Sequence, residues 1–520
     1  MYRYLSLLPF IFISSNVVAQ PESNISKGQE TNFLVITVDD MNWDSVGAFG
    51  NKIKDITPNI DKIAAEGVKF DKAYVAASNC APSRVAMQTG LYPQQSGARG
   101  FFYIDDKQTP SIATELRNNG FITGVINKST DSNPAPRNEG YWDFRSGFNK
   151  VDKYSASSFG KKSANFFKEA KKIKKPFYLL VNIADPHKPN FNDPKATENG
   201  ADANLPSRII KELEITVPAF LPNLPAIRKD VRNYFNSVKR ADDTVGHIMA
   251  SLAKSGLAEN TLVMFLSDHG MPFPFAKSSV YDNGLRTPMV MKWPGNIKAG
   301  TTYKDIVSVV DLMPTILDVA DIELPKSQNY LGQALFANTT NTPTSKSEYA
   351  FGSFDENAKG YPVPMRGIIS DEFNYVFNAW SDGKHTIKSA AMNHLTYKQM
   401  VKHSKNNKAI TARVKHYTQR ATEELCHLAV DPHCLVNLID NPEYAAVQAE
   451  LEKQIRAQMV RTNDYLLEAF DVKDDEKALQ KFMDKQHKQA KQRAKELKWK
   501  RGSNIAGPTA KNTGLYQKTE

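Results

Sequence analysis

Cysteine and long apolar segments are both scarce in this chain. Only three of its 520 residues are cysteines, at positions 80, 426 and 434, which excludes the small disulfide-dense secreted scaffolds. Beyond the first 20 residues no segment is apolar for long enough to span a bilayer, so we expect no membrane insertion. A length of 520 residues allows one large domain and a smaller one, with ample core.

The N-terminal residues are typical of a secretory signal. Arg3 supplies a positive charge, residues 5–13 form an apolar run, and residues 17–19 offer a small-residue cleavage site. Residue 20 is Gln rather than Cys, so we expect no lipid anchor there. The sequence therefore predicts a signal peptide over residues 1–19 and an exported mature protein, in the periplasm or secreted.

The odd number of cysteines suggests one pair and one cysteine with other chemistry. Cys426 and Cys434 lie eight residues apart around the turn-forming Asp431-Pro432, and they could form a disulfide. Two unpaired thiols are the alternative. Cys80 needs a separate explanation.

Basic residues outnumber acidic ones, 67 against 56, which gives a formal net charge of +11. A basic surface attracts anionic partners. No nucleic-acid-binding motif accompanies the charge, so we expect no nucleic acid partner. Other anionic polymers remain compatible with it.

Apolar strand-like runs alternate with helical patterns through roughly the first 330 residues. This alternation predicts an α/β domain with a large, mostly parallel central sheet flanked by helices. We place this domain at residues 30–338, with a Thr/Asn/Ser-rich linker after it. Residues 348–470 are predicted to form a smaller C-terminal α+β domain, and residues 471–520 a basic helical or disordered tail.

Three polar clusters follow predicted strands of the large domain. Asp39 and Asp40 follow the first strand, His187 follows another closely, and Asp268 and His269 follow a third. Any one cluster would be an ordinary turn. Because ligands of open α/β sheets bind beyond the carboxyl ends of strands, the three together predict a site there.

The strongest motif is Cys80-Ala81-Pro82-Ser83-Arg84. It resembles the Cys-x-Pro-Ser-Arg signature of the type I, formylglycine-dependent sulfatases, and the resemblance extends over nearly the whole mature chain. It implies the alkaline-phosphatase-like sulfatase fold. It also implies that a maturation enzyme oxidises Cys80 to 3-oxoalanine (formylglycine).

The resemblance implies a two-step reaction at the hydrated aldehyde. One hydroxyl attacks sulfur and expels the alcohol or amine, and the second then loses its proton and expels sulfate, restoring the aldehyde. This is covalent catalysis that divides one hard step into two.

The resemblance also implies one Ca2+ ion per active site and a set of cationic side chains around the sulfate. The metal ligands carried over are Asp39, Asp40, Asp268, His269 and the converted Cys80. Lys128 and Lys277 would contact the sulfate oxygens, and Arg84 would hold the formylglycine and metal side. His187 is the candidate general acid.

One departure concerns residue 130. Many sulfatases have Gly-Lys-x-His where this chain has Asn127-Lys128-Ser129-Thr130. The histidine helps to remove the second diol proton, so Thr130 puts the elimination step in question.

Several segments, including Met271-Pro272-Phe273-Pro274 after the metal motif, resemble N-sulfoglucosamine sulfohydrolase and bacterial polysaccharide sulfatases. We therefore expect O-desulfation of a polysaccharide-derived saccharide, with sulfamate hydrolysis as the alternative. A phosphate or phosphonate monoester hydrolase and an inactive saccharide-binding homologue are further alternatives. Candidate contacts to the sugar are Arg366, His385, Lys384 and Asn190.

Overall fold

The computed structural model describes residues 30–101, 109–133, 142–336, 343–344, 346–382 and 385–496. The predicted signal peptide lies outside these residues, as do Lys384 and the last part of the tail. The described residues contain two sheets, one of eight strands and one of four.

The twelve strands are bounded as follows: β1 Asn32–Val38, β2 Val68–Tyr74, β3 Ile122–Ile126, β4 Phe144–Ser146, β5 Phe177–Asn182, β6 Thr261–Ser267, β7 Arg286–Lys292, β8 Thr301–Ser308, β9 Ala350–Glu356, β10 Pro362–Ile369, β11 Phe373–Asn378 and β12 Glu423–His427. The large sheet has the order β4-β3-β5-β1-β6-β7-β2-β8. Only β7 runs antiparallel to its neighbours, so the predicted mostly parallel sheet is confirmed.

The α-helices are α1 Pro58–Ala65, α2 Cys80–Thr89, α3 Pro93–Ser96, α4 Ile112–Asn118, α5 Ala156–Ile173, α6 Pro194–Glu198, α7 Pro225–Ser255, α8 Asp282–Leu285, α9 Leu312–Val319, α10 Leu395–Ser404, α11 Lys408–Gln419, α12 Ala445–Arg461, α13 Leu467–Phe470 and α14 Glu476–Glu496. Helices α5 and α1 pack on α7, whereas α2 and α4 pack on α9. The large sheet is therefore flanked by two groups of helices.

Strand β1 lies at the centre of the large sheet because its side chains suit burial on both faces. All seven residues of its sequence NFLVITV are buried. A strand covered on both faces reads as a continuous apolar run rather than an alternating one. The parallel pairing of β1 with β6 sets Val38 opposite Ser267, which brings the residues after both strands to one edge.

The smaller sheet is antiparallel, in the order β12-β11-β10-β9. It contacts the large domain through the isolated bridge between Ala77 and Ser353. The structure joins Cys426, on β12, to Cys434 in a disulfide. The predicted helix of the basic tail is present as α14, and its apolar side chains Leu479, Phe482 and Met483 are buried.

No helix among the described residues combines the length and the apolar character needed to cross a membrane.

Candidate active site

Two adjacent strand ends supply the acidic part of the site. Asp39 and Asp40 follow β1, Asp268 and His269 follow β6, and all four side chains are buried. The backbone N–H of Asp40 donates to the Asp268 Oδ1 at 3.0 Å. Asp40 has φ 68°, a left-handed conformation that Asp tolerates better than most residues. The turn after β1 thus aims two carboxylates at the end of β6.

Cys80 approaches the same point from helix α2, of which it is the first residue. Its Sγ lies 3.4 Å from the His269 Nε2 and 3.6 Å from the Lys277 Nζ. Ligand atoms of Asp39, Asp40, Cys80 and His269 all lie within 4.8 Å of one another. The structure therefore brings together four of the five predicted metal ligands in one buried cluster.

Asp268 lies beside this cluster and is held by Arg84. Its Oδ2 is 3.0 Å from the Arg84 Nη2, an ion pair without hydrogen-bond geometry. Its Oδ1 is 3.7 Å from the His269 Nε2. Burial, followed by the charge of Asp39, raises the pKa of Asp268 well above its usual range. The fifth predicted ligand thus adjoins the other four.

Three cations balance the carboxylates. Lys128 forms an ion pair with Asp39, and the Lys277 Nζ lies 2.7 Å from the Asp40 Oδ1. Arg84 is buried below them, and it donates to the Thr37 hydroxyl and to the Asn182 side chain, each at 2.6 Å.

The pKa values of Asp39 and Cys80 are shifted in opposite directions. Although burial works against it, Lys128 lowers the pKa of Asp39 well below its usual range. Burial raises the pKa of the Cys80 thiol well above its usual range. The cysteine side chain is therefore a neutral thiol at neutral pH, and unmodified Cys80 is a poor nucleophile.

His269 is neutral and has its Nε2 available as a ligand. Burial lowers its pKa to about 4. Its Nδ1–H donates to the Gly270 carbonyl at 3.0 Å, so the Nε2 carries the lone pair. A backbone acceptor that fixes the tautomer is the usual support of a metal-binding histidine.

His187 follows β5 and is half-buried. Its Nδ1–H donates to the Lys188 carbonyl at 2.6 Å, which leaves the Nε2 to carry or release a proton. Burial lowers its pKa. The charges of Asp39 and Asp40 act on His187, which places it at the same edge of the sheet.

Arg240 positions the His187 loop, and sequence reasoning did not single it out. Its Nε and Nη2 donate to the two carboxylate oxygens of Asp185 at 2.6 and 2.9 Å. Both side chains are buried, and Arg240 lies on α7. The sequence motif that ends at His187 includes Asp185. Nothing in that motif indicates Arg240, which is 55 residues away.

His394 is a second residue that the sequence gave no reason to select. It precedes α10, and its Nδ1–H donates to the Pro272 carbonyl at 3.3 Å. Burial lowers its pKa to about 4, and the charges of Lys277 and Asp40 also act on it. His394 therefore borders the site from the C-terminal domain.

The structure places the predicted sugar contacts in different environments, some buried and some exposed. Arg366 is buried between Asp355 and Asp464, with its Nη1 2.9 Å from the first and its Nε 2.6 Å from the second. Its guanidinium is committed to this structural network, and its contact with the sugar stays a prediction. Asn190 is also buried, and it donates to the Pro186 carbonyl, which stabilises the turn.

His385 is exposed and pairs with Asp382 at 2.9 Å. It lines a large cavity of the C-terminal domain rather than the buried cluster. Thr130 is half-buried two residues after Lys128. Lys384 lies outside the described residues.

The fold and the cluster together define a class of hydrolase. Residues 31–322 match the family model described as Sulfatase, so the chain belongs to the sulfatase family, the hydrolases of sulfuric esters. Residues 268–383 match a second model, described as N-sulphoglucosamine sulphohydrolase, C-terminal.

Individual relatives act on sulfated carbohydrates according to their names. An ulvan-active sulfatase of Formosa agariphila is 24% identical over 87% of this chain and 80% of its own length. Human N-sulphoglucosamine sulphohydrolase is 27% identical over 85% of this chain and 92% of its own. A solved structure in complex with its substrate D-glucosamine-2-N,6-O-disulfate has a TM-score of 0.60 and 20% identity, covering 84% of this chain and 99% of that one. This last likeness shows the fold.

Proposed function

We propose that this sulfatase removes sulfate from a sulfated, polysaccharide-derived saccharide, with formylglycine at position 80 and one Ca2+ ion. The observation that carries the proposal is the buried cluster in which Cys80 lies against Asp40, His269 and Lys277. Ulvan-active and N-sulphoglucosamine relatives support the carbohydrate substrate.

The donor set of the cluster fits a hard divalent cation. Asp39, Asp40 and Asp268 offer carboxylate oxygens, and His269 offers a neutral nitrogen. Oxygen-rich sets favour Ca2+ or Mg2+. Two ammonium groups already lie against Asp39 and Asp40, so the carboxylates attract positive charge at this point. A bound cation would lower the pKa of a coordinated hydroxyl and polarise the sulfate.

The remaining roles belong to side chains of the chain itself. Lys128 and Lys277 carry positive charge where the sulfate oxygens would lie, which stabilises charge that develops during transfer. The His187 Nε2 would protonate the leaving oxygen or nitrogen. Arg84 fixes Asp268 and the end of β1 through its bonds to Thr37 and Asn182.

Sulfamate hydrolysis is the second candidate. The C-terminal family model and the human relative both belong to N-sulphoglucosamine sulphohydrolase. An amine leaving group needs a proton more than an alcohol does, so His187 would be still more important in that reaction.

Biosynthesis completes the proposal. We expect a signal peptide at residues 1–19, export to the periplasm or beyond, and a formylglycine-generating enzyme as the maturation partner.

Peptide mass spectrometry of the secreted protein tests the nucleophile. We expect the peptide containing residue 80 to be about 18 Da lighter than its cysteine form, as thiol becomes aldehyde. Sulfate release from ulvan oligosaccharides and from N-sulfoglucosamine then separates the two candidate reactions. A thiol retained after co-expression with a competent maturation enzyme would refute the proposed nucleophile.

A further inference from the structure

A cavity of about 950 Å³ lies between the smaller sheet and helix α14. Its walls come from the start of β10, the end of β11 and one face of α14. This volume falls in the range of small-ligand sites. We call it the α14 cavity.

One segment of chain contacts both the first turn of helix α2 and the α14 cavity. Ala358 packs against the small cluster that contains Cys80 and Phe101, and its neighbours Asn357 and Lys359 line the cavity. The Asn79 side chain also donates to the Glu356 carbonyl at 3.2 Å. A single turn of chain therefore connects the helix-α2 end of the site with the cavity wall.

An aromatic ring with a lysine and a histidine against it marks one side of the cavity. The Lys388 Nζ lies 3.9 Å from the centroid of the Tyr361 ring, and the His487 ring lies 4.9 Å from it. His385 and Lys491 also line the cavity. Burial, and then the charges of these two residues and of Lys388, lower the pKa of His487, so its ring is neutral at neutral pH. Within the described residues, Lys388 and Lys491 have no carboxylate within ion-pair distance.

The cavity is lined by four acidic residues as well as four lysines, and the acidic residues make contacts of their own. Asp382 pairs with His385, and Asp484 accepts a hydrogen bond from Gln480 at 3.0 Å. Lys473, Asp474 and Glu476 line the cavity as well; Asp474 lies 3.8 Å from Lys473 and Glu476 opens α14. The wall at Tyr361 is thus the cationic one.

Aromatic rings pack against the C–H faces of sugars, and ammonium groups donate charge-assisted hydrogen bonds to sulfate. We infer that the α14 cavity binds a further sulfated sugar of the same oligosaccharide whose sulfate is cleaved at position 80. This deepens the proposed function, on which it rests, by assigning a substrate longer than one sugar. The cavity would raise affinity for the longer chain without touching the reacting atoms.

Binding measured without turnover tests the inference. The Cys80→Ala variant is titrated calorimetrically with size-fractionated ulvan and heparin oligosaccharides of two, four and six sugars. In that background Lys491→Ala removes one ammonium group of the wall, and His487→Ala removes its neutral imidazole. Lys488→Ala removes an exposed lysine of the same helix that does not line the cavity.

We expect tetrasaccharides to bind more tightly than disaccharides in the Cys80→Ala protein and in the Lys488→Ala control. Lys491→Ala should weaken tetrasaccharide binding about tenfold, the scale of a lost charge-assisted hydrogen bond, and His487→Ala should weaken it by a smaller factor, because a neutral imidazole donates a weaker bond. Chemically desulfated tetrasaccharides should bind weakly to all four proteins. Thermal unfolding of each variant identifies any that fails to fold.

Equal affinity of the cavity variants and the Lys488→Ala control for every length would overturn the inference. Affinity that does not increase with length would overturn it as well. Failure of the proposed function has a different signature: converted wild-type protein releases no sulfate from 4-nitrophenyl sulfate or from any oligosaccharide, whatever the titrations show.

Discussion

The ammonium of Lys277 lies 2.7 and 2.9 Å from the two carboxylate oxygens of Asp40 and 3.6 Å from the Sγ of Cys80. One side chain thus joins an acidic residue of the candidate metal site to the proposed nucleophile. Asp40, foremost among the charges that oppose burial, raises the pKa of Lys277. Lys277 therefore remains cationic beside any sulfate that approaches residue 80.

Calcium should stabilise the protein through the carboxylates after β1 and β6. We expect chelation to lower the melting temperature and to stop sulfate release, and added Ca2+ to restore both. A ligand at one hundred times its Kd adds about 2.7 kcal/mol to the free energy of unfolding. Asp40→Asn should lose this response, whereas Asp440→Asn, an exposed acid, should keep it. A wild-type melting temperature indifferent to Ca2+ would contradict the metal assignment.

His187 should matter in proportion to the basicity of the leaving group. With a sugar sulfate, His187→Gln should reduce kcat by about 10²- to 10⁴-fold, the usual range for a general acid. With 4-nitrophenyl sulfate, whose phenolate leaves without a proton, the loss should be far smaller. His403→Gln, on the exposed side of α10, is the matched control. Equal losses on both substrates would argue for a structural role instead.

Thr130 should make the elimination of sulfate slow, because its side chain has no basic atom at neutral pH. In rapid-mixing experiments we expect wild-type protein to release one equivalent of alcohol quickly and then to turn over slowly. Thr130→His should raise the steady-state rate and reduce this burst, whereas the isosteric Thr130→Val should retain it. Linear release of alcohol from the first turnover would place the slow step earlier.

Arg366 should contribute to stability rather than to recognition. Replacing it with Met leaves Asp355 and Asp464 as unpaired buried acids, a change that typically costs about 3–5 kcal/mol. We expect a large fall in melting temperature and an unchanged KM for the saccharide in the protein that still folds. Arg461→Met, at an exposed position, should leave the melting temperature nearly unaltered. A selective rise in KM for Arg366→Met would restore the sugar contact.

Asp311 should make stability depend on pH away from the active site. Burial raises its pKa to about 6, although the backbone N–H groups of Ser308 and Gln333 oppose this. Because the folded-state pKa exceeds the unfolded value of about 3.9, its contribution is full at low pH and is lost as pH rises through 6.

Relative to Asp311→Asn, wild-type protein should therefore gain about 1.4 kcal/mol between pH 8 and pH 5. Scanning calorimetry of both proteins at each pH isolates this residue, since the other titrations are common to the pair. A difference in melting temperature that does not change with pH would refute the shift.

Local patterns predicted much of the fold and of the site. The apolar run of β1 identified a strand, and the polar pairs after β1 and β6 lie at one sheet edge as expected from parallel strands. The Cys80 motif located the remaining part of the candidate site, at the start of helix α2. Each of these signals is contained in fewer than ten consecutive residues.

The local patterns did not reveal contacts between distant parts of the chain. Arg366 was assigned to the sugar because its sequence neighbours do not reveal Asp464, 98 residues away. The apolar face of α14 was not predicted because Gln480 and Lys481 separate Leu479 from Phe482, and Asp484 and Lys485 follow Met483. Neither set of contacts can be predicted from the spacing of residues in the sequence alone.

The burial of Cys80 fixes an order of events in biosynthesis. Cys80 is 4% exposed in the folded protein, and Lys277 and His269 lie against it. A modifying enzyme therefore cannot reach it in the folded state. The proposed oxidation at position 80 would therefore have to precede the completion of folding. Slower folding of the segment around helix α2 should increase the yield of protein converted at position 80. Faster folding should instead give correctly folded protein with an unmodified thiol.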